Sequence, residues 1–138
     1  MTLYAHTDGA SRGNPGESGI GIIIRDEHNA IVYEASGDIG KATNNIAEYT
    51  ALLACLKKAH DLGCRRLVVY SDSQLMVRQM LGEYRVKDST LQRYHRRAHD
   101  LLKSAQYVFE IIHIEREQNK DADKLANTGI DSKQNLAV

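Results

Sequence analysis

The chain has 138 residues, 42% apolar and 26% charged, with one Pro, no Trp and a net charge of zero. That length fits one domain with a real core, the composition excludes a disordered chain, and a neutral balance excludes broad nonspecific grip on a polyanion. No stretch approaches a membrane span, and Met1-Thr2-Leu3-Tyr4-Ala5-His6 lacks a basic leader and an apolar segment, so a cytoplasmic, monomeric protein with no membrane association is expected.

In chain order, Leu3 to Asp8 reads as a first strand, and Asn14-Pro15-Gly16 as a tight turn. Gly19 to Arg25 follows as a hairpin partner with Ile20, Ile22 and Ile24 on one face and Gly19, Gly21 and Ile23 on the other. Ile31 to Gly37 completes an antiparallel meander. From Ile46 the period changes to helical, through Tyr49, Leu52, Leu53, Leu56, Ala59 and Leu62, with Asn44 or Asn45 as N-cap and Gly63 as the stop. Cys55 in this helix and Cys64 after it have no metal-ligand spacing and read as small apolar fillers.

Leu67 to Ser71 is a short β-branched and aromatic run of the kind buried on both faces of a sheet, and it ends abruptly at Asp72. Helices follow through Leu75 to Leu81 and from Ser89 to Ala105, then a strand from Gln106 to Ile114 and a last helix opened by Asn119 or Lys120. The order βββ, α, β, αα, β, α implies an α/β fold with a five-stranded mixed sheet, three antiparallel strands and then parallel ones, covered by helices on both faces. Residues 1–130 form the expected domain, and 131–138 a flexible C-terminal tail. Between Arg78 and Lys103 seven basic residues stand against three acidic ones, a local positive excess that the overall balance conceals.

Four acids attract attention. Each has an ordinary explanation: Asp8 as a turn residue before Gly9, Asp72 as a helix cap, and Glu48 and Asp123 as first-turn acids favoured by the helix dipole. The inferred topology, however, sets the first and fourth strands side by side and brings two helix starts to the same end. Carboxylates converging there repel and call for cations, and all-oxygen ligands favour Mg²⁺ or Mn²⁺ over zinc.

Asp8-Gly9-Ala10-Ser11-Arg12-Gly13-Asn14-Pro15-Gly16, Thr43-Asn44-Asn45-Ile46-Ala47-Glu48-Tyr49, Ser71-Asp72-Ser73-Gln74 and Asn119-Lys120-Asp121-Ala122-Asp123-Lys124-Leu125-Ala126 together resemble the four blocks of the type 1 ribonuclease H family, in the family's order over nearly the whole chain. The resemblance implies the ribonuclease H-like fold and an endonuclease that cleaves the RNA strand of an RNA-DNA hybrid with two Mg²⁺ ions, Mn²⁺ as a possible substitute, leaving 5′-phosphate and 3′-hydroxyl ends. It implies that Asp8, Glu48, Asp72 and Asp123 are the catalytic, metal-binding acids. It also implies that Asn14, Asn44, Asn45 and Gln74 read the minor-groove side, where RNA displays its 2′-hydroxyls, and that Thr43 helps hold a phosphate of the DNA strand.

Two departures from the family pattern stand out. The connection Ile114 to Asn119 is very short and contains no His, which many members carry there; His113 falls within the strand pattern, where a packed role is the ordinary expectation, and Arg116 or Glu117 is left to occupy the space. Gly82 to Asp88 is likewise too short for a basic insertion, so salt-sensitive binding through the residues between Arg78 and Lys103 is expected. A noncatalytic hybrid-binding module and a DNA-directed nuclease on the same fold are the competing readings.

Overall fold

A computed structural model of the protein describes residues 1–133. Its elements are β1 (Thr2–Gly13), β2 (Gly16–Arg25), β3 (Ile31–Ala42), α1 (Asn44–Leu62), β4 (Arg66–Ser71), α2 (Gln74–Met80), α3 (Ser89–Ser104), β5 (Val108–His113), a 3-10 turn at Arg116–Gln118, and α4 (Lys120–Ser132). The five strands form one sheet in the order β3-β2-β1-β4-β5. Strands β1 to β3 pair antiparallel, while β4 runs parallel to β1 and β5 parallel to β4, the mixed sheet expected from the element order. Because β1 and β4 are neighbours whose register ends at His6↔Tyr70, Asp8 and Asp72 each follow two residues beyond that last pair, at one end of the sheet.

The two faces of β2 divide as their alternation predicts. Ile20, Ile22 and Ile24 are fully buried in a core with Leu52, Leu53 and Leu56 of α1, each such side chain contributing roughly 1.5–3 kcal/mol by leaving water. On the other face the glycines let α4 rest directly on the sheet. A Cβ at Gly21 would lie 2.2 Å from the Ala122 carbonyl oxygen, and one at Gly19 would lie 2.4 Å from that of Ala126. This close seat fixes the height of α4, and with it Asp123, relative to β1.

Several boundaries differ from expectation. Strand β1 continues past Asp8 to Gly13 and β3 past Gly37 to Ala42, paired through Gly13↔Gly16 and Gly16↔Ala42. Their glycine-rich and polar ends carry no apolar alternation to read. Helix α1 is capped by Thr43, whose hydroxyl accepts from the Ile46 N–H at 3.2 Å, and not by Asn44 or Asn45; it ends at Gly63 in the left-handed conformation, φ 73°, as expected.

Helix α4 runs on to Ser132, beyond the domain boundary expected at residue 130. Gly129 is the reason. Its missing Cβ would lie 2.4 Å from the Gly37 carbonyl oxygen, so a residue that weakens a helix on paper is the one the packing demands. Ile130 is buried and Asp131 pairs with Arg12 at 2.6 Å, placing the start of the expected tail inside the helix; residues 134–138 lie outside the described residues. Cys55 and Cys64 are buried and unpaired. His113, expected as a packed strand residue, is instead exposed at the last position of edge strand β5.

Candidate active site

Three carboxylates meet at the end of the central strands. Asp8 comes from β1, Glu48 from α1 and Asp72 from the residue after β4, and one oxygen of each lies within 4.8 Å of the others. Asp8 is 4% exposed and Glu48 8%, which is unusual for acids without a basic partner at contact distance. Asp123, exposed on the first turn of α4, lines the same cavity of about 340 Å³.

The ordinary explanations fail for three of the four. Asp8 lies within a strand, paired with Gly21. The cap of α2 is Ser73, whose hydroxyl accepts from the Met76 N–H, and not Asp72. Glu48 falls in the second turn of α1, whose first turn holds no acid, so the helix dipole offers it little. Asp123 keeps a first-turn position, beside Asp121.

Charge chemistry follows from the crowding. Burial drives the Asp8 carboxyl far above the usual carboxylate range, and the charges of Glu48 and Asp72, with Asp123 beyond them, push it the same way. Burial and Asp72 also raise Glu48, opposed by a hydrogen bond from the Gly9 N–H and by the positive charge of Arg116. Burial and crowding thus favour the protonated forms of Asp8 and Glu48, and a cation would favour release of those protons. The donors are all hard oxygens, clustered and short of positive charge, so the residues present fit a hard divalent ion.

The residues expected to read a substrate are partly gathered. Asn44 and Asn45 line the cavity with the acids. Asn14, at the β1–β2 turn, accepts from the Asn44 N–H at 3.2 Å and so ties the hairpin to the start of α1. Thr43 stands next to Asn44 as the cap. Gln74 is exposed at the first position of α2 and does not line the cavity.

Three contributors lie outside the expected set of site residues. Gly9 donates its N–H to Glu48 Oε1 at 2.9 Å, and a Cβ there would lie 2.3 Å from the Ala47 backbone, so the absence of a side chain is what seats α1 against β1. Asn119, 1% exposed at the N-terminus of α4, donates from Nδ2 to the Thr7 carbonyl at 2.9 Å, tying the helix that carries Asp123 to the strand that carries Asp8. Arg116 comes from the short turn after β5 and faces the acids across the cavity.

Comparison with known proteins bears on this geometry. The family model described as reverse transcriptase-like matches residues 6–129. The ribonuclease HI of Halobacterium salinarum is 41% identical over 129 residues, an alignment that spans 94% of this chain and 64% of that protein. The chain belongs to the type 1 ribonuclease H family. The crystal structure of the H. salinarum ribonuclease H1 superposes with a TM-score of 0.91 at 40% identity, covering 96% of this chain and 99% of that one. LC11 ribonuclease H1, isolated from compost and solved in complex with an RNA/DNA hybrid, gives 0.90 at 39% identity over 94% of this chain and 97% of that one.

Between β5 and α4 the chain makes a short closed turn. The Glu115 N–H donates to Gln118 Oε1 at 3.1 Å and the Gln118 N–H returns to the Glu115 carbonyl at 3.0 Å, which leaves Arg116 at the cavity and Glu117 exposed.

Proposed function

We propose that the protein is an endonuclease that hydrolyses the RNA strand of RNA-DNA hybrids, giving 5′-phosphate and 3′-hydroxyl ends, with Asp8, Glu48, Asp72 and Asp123 as its catalytic acids. The observation that carries this reading is the meeting of Asp8, Glu48 and Asp72 in one cavity with Asp123 and the amides of Asn44 and Asn45. The hybrid seen with the LC11 relative supports the substrate.

The acids would hold two Mg²⁺ ions, with Mn²⁺ as a substitute; the ions would supply an activated water and charge stabilisation for an in-line displacement at phosphorus. The chain's own residues prepare for that chemistry. Burial favours the protonated forms of Asp8 and Glu48 and positive charge would favour the ionised ones, so loading and deprotonation would be coupled. Gly9 holds one Glu48 oxygen by its N–H, which orients the carboxylate before any ligand enters. Arg116 brings a guanidinium to the cavity, where it can pair with a phosphate oxygen of the scissile strand.

Recognition follows from donor and acceptor counts. Asn44 and Asn45 each offer a donor and an acceptor without charge, the combination that pairs with a 2′-hydroxyl, and Asn14 and Gln74 extend the same surface. The Thr43 oxygen already accepts from the backbone, so its O–H proton is free to donate to a phosphate of the DNA strand. We take the protein to act as a monomer in the cytoplasm; the buried unpaired Cys55 and Cys64 suit a reducing compartment. Among the described residues no helix is long and apolar enough to cross a membrane.

The test is incubation of a labelled RNA-DNA hybrid with the protein in Mg²⁺ and then Mn²⁺, beside an Asp72→Asn variant. Cleavage of the RNA strand alone, lost in the variant, is the expected result. Binding without cleavage under both metals, or preferred cleavage of all-DNA duplex, would overturn the proposal.

A further inference from the structure

Away from the carboxylate cavity, α3 places His95 and His99 one turn apart, both half-buried against the end of α2. Their Nε2 atoms lie 3.2 Å apart, with ring centroids 4.4 Å apart at an interplanar angle of 66°. His95 Nε2 also lies 3.1 Å from the Gln79 carbonyl oxygen of α2. Two imidazole nitrogens at that distance cannot both carry a proton. With the His95 Nε2–H donating to Gln79, His99 must turn a lone pair toward the same point.

His95 Nε2 stands at ligand-to-ligand spacing from both the His99 nitrogen and the Gln79 oxygen. Zinc bonds of about 2.0–2.1 Å in a tetrahedral arrangement set neighbouring ligand atoms roughly 3.3 Å apart, close to the 3.2 Å and 3.1 Å separations here. Burial, with the charges of His95 and Lys103 behind it, biases His99 toward its neutral, ligand-competent form, and only Asp100 acts against this. His95 needs only to move its proton to Nδ1.

We propose that His95 and His99, with the Gln79 carbonyl oxygen, form a second metal site that takes Zn²⁺ and clips α3 to the end of α2. Imidazole ligands suit zinc and its borderline neighbours, whereas Mg²⁺ demands oxygen, so this site and the carboxylate cluster sort by metal. The fourth position opens toward a cavity of about 480 Å³ that Arg85, Arg96 and Lys103 also line, and their charge favours an anion or water there. The basic residues of α3 would thus be held in place by the ion.

Calorimetric titration of the full chain with Zn²⁺ at about pH 7.5, in excess Mg²⁺ to occupy the carboxylates, tests the site. One saturating equivalent is expected, with the ring resonances of His95 and His99 shifting. The equivalent should vanish in His95→Gln and in His99→Gln and persist in His60→Gln. Melting curves without zinc check that the variants fold, and added zinc should raise the Tm of the wild type and not of the two α3 variants. No saturable uptake by the wild type, equal uptake by the α3 variants, or ring shifts confined to His6, His28, His60 or His113 would overturn the proposal.

Discussion

Asp8, Glu48 and Asp72 stand on the central strands and the longest helix, two of them buried, whereas the cation that faces them, Arg116, comes from a three-residue turn at the surface. The negative half of the site is thus part of the core's geometry and costs stability through repulsion, while the positive half is an exposed side chain that the fold does not need. Function and stability should therefore separate when the acids are changed, run together when the acids' backbone supports are changed, and separate again, more mildly, at Arg116.

The largest effect is expected from Asp72→Asn or Asp8→Asn. Hybrid cleavage should fall by roughly 10³-fold or more, the scale of losing a principal electrostatic stabiliser, while the metal-free protein melts at a higher temperature. A marked drop in Tm for either variant would mean the acid is structural. Gly9→Ala should instead damage both properties: the new Cβ would meet the Ala47 backbone at 2.3 Å and push α1, with Glu48, off β1. Overpacking of this kind costs about 1–3 kcal/mol, read as a lower Tm together with reduced turnover.

Arg116→Ala should lower kcat/KM by about tenfold, some 1.4 kcal/mol of transition-state stabilisation, with Tm unchanged, and Arg116→Lys should recover part of the loss. Equal activity of wild type and Arg116→Ala would remove the guanidinium from the account. The smallest effect belongs to the amides. Asn44→Ala or Asn45→Ala should weaken hybrid binding by about 1 kcal/mol, the worth of one hydrogen bond, and affect all-DNA duplex less; equal losses on both duplexes would contradict ribose recognition.

How much of this could be read beforehand differs between the same two halves. The acids were visible because each stands out chemically: Asp72 closes an apolar run, and the strand order that pairs β1 with β4 follows from the βββαβ pattern. Their supports were not visible, because they act by what they lack or by where the backbone goes. Gly9 works through a missing Cβ, so Asp8-Gly9 looks like a turn while the strand runs straight through it. Gly129 likewise disguised the last turns of α4. Thr43, Asn44 and Asn45 are all good caps in isolation, and only the contact with the Ile46 N–H singles out Thr43. Arg116 was visible as a residue without a role, since nothing local says which way a turn side chain points.

Burial and mutual repulsion favour protonated Asp8 and Glu48 until a cation enters. For a carboxylate whose pKa is raised on folding, the native state keeps a proton that the unfolded chain releases, so stability is present below the ordinary carboxylate range and declines as pH rises from there through neutrality. The direct measurement is Tm against pH, from about 5 to 9, for metal-free wild type and Asp8→Asn, repeated with Mg²⁺. The wild type is expected to lose stability relative to Asp8→Asn as pH rises, and Mg²⁺ to restore the wild type far more than the variant. Parallel curves for the two proteins, unchanged by Mg²⁺, would contradict it.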